Sequence, residues 1–261
     1  MNKLILCALG ALSLLAAGCA KKEVKPLHTE PWLAHPPASA ANPGDAGDAG
    51  LPRARYTITA PSQIHFDLPS KRGMVHGSLS HVTGELSLTP TALELSRGQV
   101  QVDLSSLSLS ADGAHDASDL LARAKLALGL TGASPSPSDA TATFELSALE
   151  DVAPALLEPA PASDAGAAFT RKARATAVGG LLLHGFRVLR RAPFEAELSF
   201  TVDRQLPASL VIRSRAPFVV SLGTHEIAVR DSEGARKQPK GAAVHPREAR
   251  VSFELYGTKI D

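Results

Sequence analysis

Between Val178 and Phe200 the chain reads VGGLLLHGFRVLRRAPFEAELSF, and this stretch limits the possible folds more than any other. Phe194, Ala196, Leu198 and Phe200 alternate with Glu195, Glu197 and Ser199. A period of two sends one set of side chains into a dry core and the other into water, as in a strand with one wet face. Just before it, Leu181, Leu182 and Leu183 form an apolar run suited to a strand buried on both faces. His184-Gly185 ends that run, and the glycine permits a positive φ. Pro193 cannot donate to a ladder, so it predicts an edge or a turn. The stretch predicts two or three antiparallel strands, polar outside and apolar inside.

The same alternation recurs along the chain. Tyr56 to Thr59 opens a strand, Pro61-Ser62 predicts a turn, and Ile64, Phe66 and Leu68 then alternate with His65 and Asp67. Val75, Gly77 and Leu79 share one face, and Gly84, Leu86 and Leu88 share the next. After a break at Thr89-Pro90-Thr91, Val100, Val102 and Leu104 alternate with Gln99, Gln101 and Asp103. Short strands joined by Gly and Pro turns predict an up-and-down meander. Ala117 to Leu128 places Leu120, Leu121, Ala124 and Leu128 on one helical stripe, with Ser118 or Asp116 as its cap. Thr143 to Ser147 resumes strand character. Glu150 to Ala168 reads as a surface insertion with a helical turn near Val152 to Leu157. Leu210 to Ile212, Ala216 to Leu222 and Glu226 to Val229 predict further strands, and Asp231 to Arg250 a long polar loop. Val251, Phe253 and Leu255 form the last alternating run. Pairing it with the first strand would close a barrel and leave no edge.

Two of these segments carry a resemblance. Gly180-Leu-Leu-Leu-His184-Gly185, followed by a proline and an alternating strand, resembles the G-x-L-x-x-H-G … P segment of the YceI-like family. Val75-x-Gly77-x-Leu79, Gly84-x-Leu86-x-Leu88 and Val100-x-Val102-Asp103-Leu104-x-Ser106-Leu107 are similar to the ordered strand motifs of that family's first third. Together they cover much of residues 56–202. The resemblance implies an all-β fold: a closed, antiparallel, lipocalin-like barrel of about eight strands with one or two short helices. It also implies a periplasmic protein that binds an isoprenoid or another long apolar molecule. The aromatic and Tyr-Pro signature of the family's crossover is missing here, so the resemblance does not carry ligand identity.

The N-terminus reads as an address. Met1-Asn2-Lys3 is a small basic region, Leu4 to Leu15 is apolar but too short to span a bilayer, and Leu15-Ala-Ala-Gly-Cys19 follows. This resembles a bacterial lipoprotein signal, with Ala16 where a leucine is usual, and implies lipidation (palmitate) at Cys19. Ala20 after the cysteine favours the outer membrane under that pattern. Residues 1–18 are thus expected to be a lipoprotein signal peptide, 19–53 a flexible Pro/Ala/Gly tether, and 54–261 the barrel domain. The tether is too poor in apolar side chains to offset ordering entropy, and random-coil scaling gives it a reach of about 30 Å.

Composition narrows the chemistry. Apolar residues make up 44%, aromatics only 4%, so the core is mainly Leu, Val and Ala. A net charge of +1 supplies no field to attract nucleic acid. Cys7 and Cys19 are the two cysteines, so the domain has neither a disulfide framework nor a thiol site. His65, His76 and His81 lie on neighbouring strands and three imidazoles can bind zinc, but the alternation turns them toward the polar face. His184 fits a turn in which its ring bonds backbone. His225-Glu226 lacks the second histidine of a zinc helix. No Gly-x-Ser-x-Gly elbow, phosphate-cradling loop or carboxylate pair stands out. The clusters Arg187, Arg190, Arg191 and Arg236, Lys237, Lys240 fit solvated loops, or else anionic head groups.

These observations predict a binding protein with no catalytic residues, no metal and no cofactor. Ile64, Phe66, Leu86, Leu88, Val100, Val102, Leu198 and Phe200 are the expected interior, where they either line a long apolar ligand (isoprenoid, quinone or fatty amide) or fill the barrel as core. The expected partners are that ligand and a membrane, reached through the N-terminal lipid on the periplasmic face of the outer membrane. A homodimer is compatible with the pattern. The second reading is a solid-cored envelope scaffold acting through its loops at 150–168 and 231–250, and the third a hydrolase or metal enzyme using the histidines.

Overall fold

The alternating runs form strands β1 (Ala54–Ser70), β2 (Gly73–Leu79), β3 (Val82–Leu88), β4 (Arg97–Asp103), β5 (Ser108–Ala111), β6 (Thr141–Ala153), β7 (Phe169–Leu183), β8 (Phe186–Phe200), β9 (Ser209–Ser214), β10 (Phe218–Ser221) and β11 (Glu248–Ile260), with one helix, α1 (Ala117–Ala127). The structure is a computed structural model that describes residues 53–70, 73–112, 117–131, 140–155, 168–201, 206–227 and 248–260. All lie in the unit Ala49–Asp261. The expected signal peptide, Cys19, the expected tether up to Pro52, Asp116, and most of the expected loops at 150–168 and 231–250 fall outside the described residues.

The sheet is closed. β1 pairs with β11 from Arg55–Ile260 to Asp67–Arg250, which completes an antiparallel ring in the order β1, β3, β4, β6, β7, β8, β9, β11. The three remaining strands are continuations. β2 prolongs β3 along the second half of β1, β5 prolongs β4 along β2, and β10 prolongs β9 along β11. The molecule is therefore an eight-stranded up-and-down barrel, with breaks in several of its long strands.

Those breaks explain Pro61-Ser62, where a turn was expected. β1 runs through it, and the register shifts between Thr59 and Gln63. The buried Ser62 hydroxyl accepts from the Tyr256 amide at 2.9 Å and donates to the Thr59 carbonyl at 2.5 Å. Ser106 does the same between β4 and β5, accepting from the amides of Ser80 and His81 at 3.2 Å each and donating to the Asp103 carbonyl. Ser214 accepts from the Phe253 amide at 3.1 Å. Each break orphans backbone donors that would be costly to leave unpaired, and a serine hydroxyl takes them.

Between Val178 and Phe200 the structure has one hairpin. β7 and β8 pair over fifteen positions from Phe169–Phe200 to Leu183–Phe186. His184 and Gly185 form its two-residue loop, with φ of 53° and 80°. Positive φ at both positions is the tight turn whose twist matches a hairpin, and glycine adopts it without a Cβ penalty. The His184 ring does not secure the turn as expected, because its Nδ1 is buried without a hydrogen-bond partner. Pro193 sits inside β8 rather than at an edge or turn. Its carbonyl accepts from Arg215 at 2.9 Å just past the last β8–β9 pair, Phe194–Ser214, so its missing N–H falls where β9 is leaving the sheet. Two more expectations change. Val152 belongs to β6 rather than to a helical turn. Glu226 and Ile227 lie in a turn that begins at Leu222, with Ile227 donating to the Leu222 carbonyl at 2.9 Å, rather than opening a strand.

The outer face is charged. Arg187 pairs with Glu145 at 2.5 Å, Arg191 with Glu150, Arg174 with Glu195 at 3.0 Å and Arg213 with Glu254 at 2.7 Å. Exposed pairs of this kind add little stability. They do show that these strands turn a charged face to their surroundings, the reverse of the apolar band of a lipid-embedded barrel.

Candidate functional site

An apolar cavity of about 350 Å³ runs through the barrel. Such a volume lies at the lower end of the range of small-molecule pockets. One wall is large and branched: Ile64 and Phe66 on β1, Leu86 and Leu88 on β3, and Val100 and Val102 on β4. The Phe66 ring lies across Gly77 of β2, so closely that any Cβ there would collide with it. The facing wall is built from small residues. β7 lines it with Ala173, Ala175 and Ala177 before Leu181 and Leu183 at the hairpin end, and β8 adds Ala192 and Ala196 beside Phe194 and Leu198. Ala124, Ala127 and Leu128 of the α1 segment complete the lining. The helix reaches the core through the expected stripe, with Leu121, Ala124 and Leu128 packed on it.

Toward the start of β1 the interior is filled. Tyr56, Ile58 and Leu198 are almost fully buried, and the Tyr56 hydroxyl donates to the Pro207 carbonyl at 2.7 Å. Burial raises that phenol above its ordinary range. Phe169 and Phe200 stack nearby with ring centroids 4.7 Å apart, and the Arg171 guanidinium sits 5.3 Å from the Phe169 centroid. Of the eight expected interior residues, seven line the cavity, namely Ile64, Phe66, Leu86, Leu88, Val100, Val102 and Leu198. Phe200 does not. It is buried, but its ring is spent on Phe169 at the end of β8.

The histidines separate into two kinds. His65, His76 and His81 stand outside. His76 lies 2.6 Å from Asp67 and 3.6 Å from Asp112, and His81 lies 3.5 Å from Asp103. The hydrogen bond to Asp67 raises the His76 pKa. Among the described residues no group of three His, Cys, Asp or Glu side chains converges as a metal site. His225 is different, being wholly buried. Its Nδ1 donates to the Leu183 carbonyl at 3.2 Å, while its Nε2 makes no hydrogen bond. Burial lowers its pKa, with the Leu183 and Phe186 carbonyls opposing that shift and Arg190 and His184 adding to it.

Two features of this interior escape a reading by hydrophobicity alone. The alanine wall was legible as AxAxA in β7, because small inward residues leave a barrel of fixed radius unfilled. The inward turn of Arg190 is legible only through β8's phase: Ala192 and Phe194 face in, so Arg190 does too, while Arg187 and Arg191 face out.

No protein-family model matches the chain, and no curated protein sequence matches it. Solved structures give distant likenesses. A polyisoprenoid binding domain from Saccharophagus degradans, implicated in plant cell wall breakdown, is 13% identical and aligns over 81% of this chain and all of that domain, with a TM-score of 0.43. Burkholderia cenocepacia BcnA is 16% identical over 76% of this chain and 96% of its own, with a TM-score of 0.44. Likenesses this distant establish no function, so the cavity itself must supply the reason for one.

Proposed function

We propose that this chain binds a long apolar molecule inside its barrel, for transport, storage or sequestration, without covalent chemistry. The observation that carries the proposal is the apolar cavity of about 350 Å³, kept open by the alanine wall of β7 and β8. Left empty, the lining of such a space loses the dispersion contacts that a filled core would make. A tail of isoprenoid, quinone or fatty-amide type recovers them by filling the space. The charged outer face supports a barrel that works in water. Under the same proposal, Cys19 carries a lipid that tethers the barrel through residues 19–53 to the periplasmic face of the outer membrane.

Native mass spectrometry of the purified full chain, followed by solvent extraction, tests the binding. A stoichiometric adduct that extracts as a long apolar molecule is the expected result. A bare mass that stays unchanged after incubation with isoprenoids, quinones and fatty amides would instead favour a scaffold acting through its loops. Replacing Cys19 with alanine should release the protein from the membrane fraction if the anchor is real.

A further inference from the structure

Beside the cavity, whose own cationic edge is Arg97 and Arg174, the hairpin tip forms a second polar corner that adjoins the lining without being part of it. The β8–β9 ladder ends at Phe194–Ser214, so residues 186–192 of β8 continue past β9 toward the hairpin tip. The turn from Leu222 to Ile227 comes against this tip, where buried His225 holds the Leu183 carbonyl. Leu183, Leu222 and Ile227 all line the cavity, so the corner adjoins it. Arg190 shares the phase of inward-facing Ala192 and Phe194 on β8 and pairs with Gly179, whose side-chain place is taken by the Phe144 ring. One of its terminal nitrogens donates to the Leu189 carbonyl at 3.1 Å. Its Nε is buried without a partner, as are His225 Nε2 and His184 Nδ1. Among the described residues no carboxylate pairs with Arg190, whereas Arg187 and Arg191 on either side each hold a glutamate.

Arg190 is half-buried, and a guanidinium with one nitrogen shut away from water and no carboxylate beside it favours an anion. Resting on the binding function proposed above, we propose that this corner holds the anionic head, a carboxylate or a phosphate, of an amphipathic molecule whose tail fills the cavity. Arg190 supplies the fixed charge. His225 supplies a second contact: its Nδ1 proton is committed to Leu183, so Nε2 becomes a donor by taking a proton as the anion arrives. A pinning role for His225, joining the 222–227 turn to the hairpin through the Leu183 and Phe186 carbonyls, accounts for the ring but not for the unpaired Nε of Arg190.

The test compares oleate, oleyl phosphate and oleyl alcohol on the full chain by competition in native mass spectrometry. The three probes share one tail and differ in the head. Charge-assisted hydrogen bonds predict that at least one anion outcompetes the alcohol by about tenfold or more. Which anion prevails separates a carboxylate site from a phosphate site. Arg190→Gln should bring anion and alcohol to within about twofold of each other while the alcohol still binds, and Arg190→Lys should keep part of the preference. Should Arg190→Gln fail to fold by circular dichroism, His225→Gln gives the second reading, with an expected loss of severalfold in the anion preference. Equal binding of all three probes to the wild type would overturn the head-group site and leave the cavity function standing, as would an unchanged preference in Arg190→Gln. Binding of none of the three would overturn both.

Discussion

The two walls of the barrel are made from the same kind of strand and do opposite things. On β1, β3 and β4 the inward positions are Ile64, Phe66, Leu86, Leu88, Val100 and Val102. On β7 they are Ala173, Ala175 and Ala177, with Leu181 and Leu183 only toward the hairpin tip. Strand number and tilt set the barrel's radius, so side-chain volume alone decides whether the interior is solid or hollow. The large wall supplies apolar area and the small wall supplies room. Both alternate with polar residues at a period of two, which is why that pattern predicts the barrel and leaves its interior undecided.

The most direct way to break the contrast is to make the small wall large. Ala177 and Ala192 face each other across β7 and β8. The double change Ala177→Leu with Ala192→Leu should fill the cavity and weaken binding of an apolar probe by about a hundredfold, close to 3 kcal/mol. Because the new methyl groups enter empty space, the ligand-free chain should lose no more than about 1 kcal/mol, less than overpacking a filled core costs. Urea denaturation and probe titration on the same sample check both halves. Unchanged binding would place the ligand elsewhere.

The converse change trims the large wall. Phe66→Ala removes a ring that lies over Gly77 and borders the cavity. The expected cost is about 3 kcal/mol, the lower end for such truncations because one side of the ring already faces open space. A loss well above that would mean the cavity is filled in the resting protein and that the ring is packed on all sides.

The seam between the walls is polar, and Ser62→Ala probes it. That hydroxyl is fully buried and takes the Tyr256 amide at the register shift of β1. Its loss leaves a buried donor unpaired, for about 2 kcal/mol in urea denaturation. Ser62→Thr, which keeps the hydroxyl, should recover most of it.

How much of this was legible in the sequence follows from the same contrast. Alternation gave the strands, and the apolar run at Val251, Phe253 and Leu255 gave the closure with β1, because burial on one face leaves a periodic trace. Seven of the eight interior residues chosen on that trace line the cavity. Pro61-Ser62 and Pro193 misled because local turn chemistry was read without the ladder. A proline is harmless in a strand wherever its N–H would face no partner, and only the register of β8 against β9 reveals that. Phe200 faces the interior as expected but stands beyond the cavity, because alternation gives the face and not the distance along the barrel, and at the strand end Phe169 takes its ring. His225 left no trace, since its burial depends on a hairpin tip some forty residues away in sequence.

That residue gives the smallest expected effect and the sharpest sign. Burial holds the His225 ring below its ordinary pKa of about 6.5, and Arg190 and His184, which bear on the same ring, push in the same direction. As pH falls, the unfolded chain therefore takes up the proton before the folded one does. The corresponding stability is complete above about pH 6.5 and declines as pH drops toward the folded pKa. His225→Gln should flatten that part of the stability-against-pH curve relative to wild type, read from urea midpoints between pH 7.5 and 5. Were the two curves parallel, the ring would be equally easy to charge in both states, and the corner would be wetter than the packing of Leu183, Leu222 and Ile227 around it implies. If an anionic head occupies the corner, adding oleate should raise the folded pKa of His225 and so shrink the wild-type decline, whereas the variant's curve should rise without changing shape. The apolar walls contain no titrating group that could produce that difference.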